Sequence, residues 1–408
     1  MTHTGNLRST PADSVINSET FTSKDRLKTS DVTTTYFTSF QFGQTGDWDS
    51  QVSNGGTKTY NATLGGIDLG VSSTLDSESI FQTRRVMSYV PGRASGLSGA
   101  YRLSNLTSGI RYRWGIFDEN NGAFVEVNGS NIYCVVRSNT TGSVVDSSVP
   151  RSSWNEDKLD GTGRSGITLD LTKQQLIYIE YEWYGAGEVK YYFVIDGRKR
   201  LVHVASHANH ISTVYCRTPF LPIRAEVKNL TGATGGGILY FGSVSHVSEG
   251  DSARRGQTQN IASPITGYSC ATAGTFYPVF SGRLKSTALN ALVKPLSMRL
   301  SSLNHTSDGL HWRIIFSGTL TGGTWVDFPI ADPVSQYNTT ATAISSGYTL
   351  VAGFQPASAA GQLITFPLEN NPLGRGLLGT VSDQITLAVA GVNNTTTVMW
   401  SIDWLEER

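Results

Sequence analysis

The stretch QLIYIEYEWYGAGEVKYYFVIDG, residues 175–197, decides how the chain is read. Ile177, Ile179, Tyr181 and Trp183 alternate with Tyr178, Glu180, Glu182 and Tyr184. Successive side chains of a strand point to opposite faces, so this period of two predicts an antiparallel strand with one buried and one wet face. Gly185-Ala186-Gly187 then supplies a turn, VKYYFVID a return strand, and Asp196-Gly197 a second turn into a strand carrying Leu201 and Val204. Lys190 and Tyr192 are expected as cross-strand neighbours that make the outer face mixed in charge.

Working outward, residues 111–138 repeat the pattern. RYRWGIFD is followed by a turn at Glu119-Asn120-Asn121-Gly122, then AFVEV, a turn at Asn128-Gly129, and IYCVVRS. Asn-Gly tolerates the positive φ angles of tight hairpins. Two such meanders predict a β-sandwich of jelly-roll or lectin-like (concanavalin-like) type over residues 36–247. Only residues 171–175 look even briefly helical. Residues 248–262, polar and without pattern, are expected to be a linker. Residues 263–408 are expected to form a second sandwich: LHWRIIF, TWVDFPI, YTLVAGF and QITLAVAG read as strands. In the terminal TTVMWSIDWLEE, Val398, Trp400, Ile402 and Trp404 alternate with Thr397, Met399, Ser401 and Asp403. A short helix is expected at 286–293, stopped by Pro295. Residues 1–35, rich in Ser and Thr with few large apolar residues, are expected to be an extended N-terminal arm that does not fold alone. The expected class is therefore all-β: two antiparallel β-sandwich domains preceded by an arm.

Composition sets the outer bounds. The 408 residues hold 32 Lys+Arg and 32 Asp+Glu, for a net charge of zero. That balance argues against nucleic acid as a partner, because such surfaces cluster Lys and Arg to displace counterions. No window approaches the roughly 18 apolar residues of a helical membrane span, so no membrane partner is expected. Charged residues make up 16% of the chain, against roughly 25% in ordinary globular domains. In residues 263–408 only about one residue in ten is charged, which marks that domain as the expected assembly surface. Cys134, Cys216 and Cys270 are too few and too scattered for a disulfide framework and read as buried thiols. The N-terminus has neither the cationic nor the apolar region of a signal peptide, so synthesis in a reducing cytoplasm is expected.

Several groups of residues suggest chemistry. Gly161-Thr-Gly-Arg-Ser-Gly166 matches a dinucleotide fingerprint by letter but runs into a strand, where no helix N-terminus can meet a pyrophosphate. It reads as a tight loop. Asp157 and Asp160, with Glu156, fall short of a calcium loop's spacing and read as turn acids. Glu180 and Glu182 sit at the spacing of a glycosidase pair, but residues i and i+2 of any strand do so. His203, His207 and His210 lack the helical spacing of a zinc pair. No catalytic, cofactor-binding or metal residue is assigned, and no cofactor is expected. Trp154, Tyr178 and Tyr184 remain as candidate glycan contacts, aromatic rings that stack on sugars.

The blocks WNEDKLDGTGRSGITLDLTKQQLIYIEYEWYGAGEVKYYFVIDG (154–197) and HANHISTVYCRTPFLPIRAEV (207–227) resemble virion structural proteins of tailed bacteriophages, notably cyanophages. So do RLKSTALNALVKPLSM (283–298), TLTGGTW (319–325) and LGRGLLGTVSDQITLAV (373–389). The resemblance spans roughly residues 80–408 and carries no catalytic motif. It implies a non-enzymatic capsid-decoration, neck or tail-associated protein, located in the virion, with other virion proteins and copies of itself as partners. The 175–197 hairpin is also similar to the central hairpin of concanavalin-like sandwiches, where it is scaffold. A carbohydrate-binding module for host-surface adhesion, with a host-surface glycan as ligand, is the alternative.

Overall fold

The computed structural model describes residues 32–250, 256–303, 309–356, 363–368, 371–377, 382–393 and 395–407. The expected arm lies outside them except for its last four residues, and so do residues 251–255 of the expected linker. The described chain is all-β, built from antiparallel sheets that form two compact units.

In the first unit an eight-stranded sheet runs Arg198–Ala205, Val189–Ile195, Gln175–Tyr181, Ser95–Leu103, Gly237–Glu249, Gly66–Val71, Thr57–Asn61, with Val32–Thr38 also paired to Gly237–Glu249. A seven-stranded sheet runs Val145–Pro150, Asn131–Ser138, Gly122–Asn128, Ile110–Phe117, Ile223–Asn229, Glu78–Thr83, Trp48–Ser53. The alternation in 175–181 is realised: Ile177, Ile179 and Tyr181 are buried, and Tyr178 pairs with Tyr192 and Glu180 with Lys190. Between the sheets the rings of Tyr101 and Trp114 lie 3.9 Å apart, and the Tyr191 hydroxyl donates to the Val135 carbonyl at 2.7 Å. Asp196 and Gly197 both take positive φ, 53° and 71°, which closes their hairpin in two residues.

The second unit holds a five-stranded sheet centred on Leu292–Ser302 and Thr396–Glu407, and a six-stranded sheet that ends in Leu310–Phe316 and Tyr348–Gln355. Val398, Trp400, Ile402 and Trp404 are all buried, as their alternation predicts, and pack with Val279, Phe280, Ile314 and Leu387. Phe280 lies 5.2 Å from Trp400 and 5.9 Å from Trp404, centroid to centroid.

Four expectations are corrected. The helix at 286–293 is absent. Residues 285–291 form turns, and Pro295 sits inside the strand Leu292–Ser302 at a break in register. A bulge tolerates the missing N–H, so the proline stops nothing. Residues 171–175 are a turn and the start of a strand, set by Asp170 Oδ1, which accepts from the Thr172 N–H and hydroxyl. In the expected linker, Gln257–Ala262 is a strand on Thr396–Glu407. Its polar residues hide the signal: Gln259 is buried, and Asn260 Nδ2 donates to the Ile402 carbonyl at 3.1 Å. Last, the first domain is not contiguous, because Gly46–Asp49 and Gln82–Val86 group with the second unit. There the Arg84 guanidinium binds Asp383, its carbonyl accepts from Arg375 N at 2.7 Å, and Asp49 Oδ2 accepts from Leu377 N at 3.0 Å.

Candidate functional site

Because residues 175–181 alternate, Tyr178 and Glu180 leave the core side of their sheet, and register sets Tyr192 beside Tyr178. The next strand brings Lys199 over them, its ammonium 3.5 Å from the Tyr178 ring centroid and 5.7 Å from that of Tyr192. On the other side, Gly96 pairs with Glu180 and leaves room for the Tyr178 ring: a Cβ there would lie 2.0 Å from the Tyr178 hydroxyl. Val32, Ala94, Val247 and Glu249 complete a cavity of about 90 Å³ whose polar groups are Tyr178, Glu180, Tyr192, Lys199 and Glu249. Burial raises the Tyr178 phenol well above its ordinary range, and the Glu180 and Glu249 carboxylates add to the effect. It stays a neutral hydroxyl, able to donate or accept. The cavity can thus hydrogen-bond a small polyhydroxylated or cationic group, while Lys199 covers a face of the Tyr178 ring.

The three candidate glycan contacts do not converge. Tyr178 lines this cavity. Trp154 is 3% exposed, stacked 6.3 Å from Phe193, with its indole N–H donating to the Val149 carbonyl at 3.2 Å. It is a core residue, so the expectation that it stands at the surface is corrected. Tyr184 is half exposed at the turn after the strand and does not line the cavity. The outer face is also drier than expected, with Glu180 and Glu182 both buried. Only Glu180 faces the cavity, so the pair does not flank one space.

The remaining sequence candidates serve the local fold. Asp157 organises the glycine-rich loop: its Oδ1 accepts from Leu159 N at 2.9 Å and its Oδ2 from Ser165 N at 2.8 Å. Gly163 gives it room, since a Cβ there would lie 2.1 Å from Oδ1. Asp160 Oδ1 accepts from the Thr162 N–H and hydroxyl in an Asx turn. His203 is buried beside Tyr191, and His207 stacks on Tyr215 at 4.1 Å while its Nδ1 donates to the Gly187 carbonyl at 2.6 Å. Among the described residues no group of three or more His, Cys, Asp or Glu is placed to hold a metal ion. The three cysteines are buried and free, and burial raises Cys216 and Cys270 to about 12.

Sequence reading missed the most strongly charged arrangement. On the face of the seven-stranded sheet turned away from Tyr112 and Trp114, Phe117, Phe124 and Val135 form an apolar floor. Arg113, Arg137 and Arg224 lie over it, their guanidinium carbons 5.0 to 5.9 Å from the rings. Glu226 accepts from Arg113 at 3.3 Å and Arg224 at 2.9 Å, and Asp146 binds Arg137 through both oxygens at 2.8 and 2.9 Å. Burial pushes the Glu226 carboxyl up, but Arg224, Arg113, Arg111 and Arg137 outweigh it and hold it at about 2. The signal was present in RYRWGIF and IRAEVKN, where charges recur every second residue, but Arg113 and Glu226 meet across strands 113 positions apart. On this face Arg113, Arg137 and Arg224 are bridged by the carboxylates of Glu226 and Asp146.

No protein-family model matches the chain, and no curated protein sequence matches it. Solved structures resemble it in part. The Emp47p carbohydrate recognition domain is 10% identical, covering 54% of this chain and 97% of its own length at a TM-score of 0.35. A glycosyl hydrolase family protein from Mycobacterium fortuitum is 10% identical, covering 53% of this chain and 100% of its own at 0.35. The legume lectin-like domain from Entamoeba histolytica is 9% identical, covering 49% and 89% at 0.30. Similarities this distant assign neither ligand nor activity.

Proposed function

We propose that this protein is a structural component of a phage particle, made in the host cytoplasm and acting without catalysis through protein–protein contacts. Its partners are capsid, neck or tail proteins and copies of itself. The sequence resemblance supports the particle. The carrying structural observation is in the second unit, whose sequence is poor in charge and whose strand Tyr348–Gln355 exposes Tyr348, Val351 and Phe354 by 40 to 53%. Large apolar side chains exposed in a charge-poor setting mark protein contacts. Quantitative mass spectrometry of purified particles tests the reading: a fixed copy number per particle is expected, and absence from particles overturns it.

The cavity at Tyr178 favours a second reading, carbohydrate binding. Two phenols, two carboxylates and an ammonium around about 90 Å³ match the hydrogen-bonding needs of a sugar's hydroxyls. The full chain on a glycan array is the test, with Tyr178→Ala as control. Signal lost in the variant supports this reading, and silence across the array removes it.

A further inference from the structure

We infer that the cavity at Tyr178 is a site for an organic ammonium group, and that the Lys199 ammonium is the chain's own stand-in for it. The inference deepens the carbohydrate reading, rests on the same cavity, and names the ligand as a sugar carrying a free amine.

Two phenol rings form a corner of the cavity. Tyr178 and Tyr192 stand 5.7 Å apart, centroid to centroid, at an angle of 61°. The face of an aromatic ring is the negative end of its quadrupole and attracts cations. The carboxylates of Glu180 and Glu249 line the same space, and Glu180 is 8% exposed. Val32, Ala94 and Val247 supply apolar wall. Ring faces beside carboxylates suit an alkylammonium, whose charge they compensate while its carbon substituents meet apolar surface. An ammonium already occupies these surroundings: that of Lys199 lies 3.5 Å from the Tyr178 centroid and 5.7 Å from that of Tyr192. Beside it about 90 Å³ of room remains.

Lys199 differs from the other cations that lie over rings. Arg113, Arg137 and Arg224 are buried, and each is hydrogen-bonded to Glu126, Asp146 or Glu226. Lys199 is exposed on the outermost strand Arg198–Ala205, a compact charge on a flexible four-carbon stem. It can swing into water, where an ammonium is well hydrated, and leave the ring faces to a ligand. An amino sugar fits the space this opens. Its ammonium takes the place beside Tyr178 and the carboxylates, and its hydroxyls bond the phenols. Acetylation of the amine removes the charge, so the cavity separates free from acetylated amino sugars.

The test is calorimetric titration of the full chain at about pH 6, where a sugar amine is charged. Glucosamine, N-acetylglucosamine, glucose and ethanolamine are compared, each to about 20 mM. The two amines are expected to bind at least about tenfold more tightly than the two uncharged sugars. Lys199→Ala removes the internal competitor and is expected to tighten glucosamine binding. Glu180→Gln is expected to weaken it, and Glu249→Gln takes its place if melting curves show that Glu180→Gln does not fold. Glucose bound as tightly as glucosamine overturns the ammonium site and leaves the carbohydrate reading standing. Ethanolamine bound without glucosamine supports the ammonium site and ends the carbohydrate reading. Weaker glucosamine binding in Lys199→Ala, or neither amine bound by the wild type and by Lys199→Ala, overturns the inference.

Discussion

Glu226 is 3% exposed and faces guanidinium groups from three strands, so its charge is both costly to bury and densely compensated. Removing Glu226 takes a carboxylate from the buried Arg113 and Arg224, and breaking buried ion pairs costs about 3–5 kcal/mol. Glu226→Gln is expected to lose that much in urea denaturation, far more than a surface Glu→Gln. Its carboxyl is held at about 2 against an ordinary value of about 4.5. The stability this contributes is complete above pH 4.5 and is lost as pH falls toward 2, and Glu226→Gln should flatten the acid limb of a stability–pH curve. His246 has the opposite chemistry in the same direction. Fully buried between Thr35 and Tyr181, it is lowered by burial to about 3 from 6.5. Its neutral form is the folded one, so stability is complete above pH 6.5 and declines as pH falls through that value toward 3. His246→Phe should remove that slope in melting temperature measured between pH 7 and 4 if it folds, and His246→Gln serves as the polar check. None of these pairings was legible beforehand. Arg113 and Glu226 are 113 positions apart, and period-two charge in a strand names the face but not what sits opposite.

At the scale of elements, the loop at 154–166 depends on one carboxylate more than on its glycines. Asp157→Ala leaves the N–H groups of Leu159 and Ser165 without their acceptor, at about 1–3 kcal/mol for each one left buried. Limited proteolysis is expected to cut the variant at 161–166 faster than the parent protein. Gly96 is the second such point. Gly96→Ala places a methyl on the Tyr178 ring, and overpacking of this kind costs about 1–3 kcal/mol. The tyrosine must move out of the cavity, which intrinsic fluorescence and thermal melting can follow. Strand identity was readable wherever one face is apolar, as in Gln175–Tyr181 and Thr396–Glu407. It was unreadable in Gln257–Ala262, where Gln, Thr and Asn take part in backbone pairing without an apolar stripe. Pro295 misled for a related reason: its missing N–H is disqualifying in a regular helix or central ladder, and harmless at a bulge.

For the whole molecule, two separate cores explain how one chain yields two units, but not where the cut falls. Arg84, Asp49 and their partners Asp383 and Leu377 assign two short early segments to the second unit by hydrogen bonds spanning about 300 positions. Arg84→Ala is expected to lower the melting temperature by removing a guanidinium paired to the 3%-exposed carboxylate of Asp383. Asp383→Asn should cost less, because the amide can still accept one bond.

What the sequence by itself determined is the all-β class, the antiparallel meanders, the cross-strand pairing of Tyr178–Glu180 with Lys190 and Tyr192, and the aromatic core stripe of the last strand. All of these follow from local alternation and turn chemistry. Only the tertiary structure decided that Trp154 belongs to the core, that Lys199 caps Tyr178 beside Glu180 and Glu249, that four arginines share one buried glutamate, and that Tyr348–Gln355 is an outermost strand. Each depends on which distant strand lies alongside, a matter settled by the packing of whole sheets and not by the neighbours along the chain.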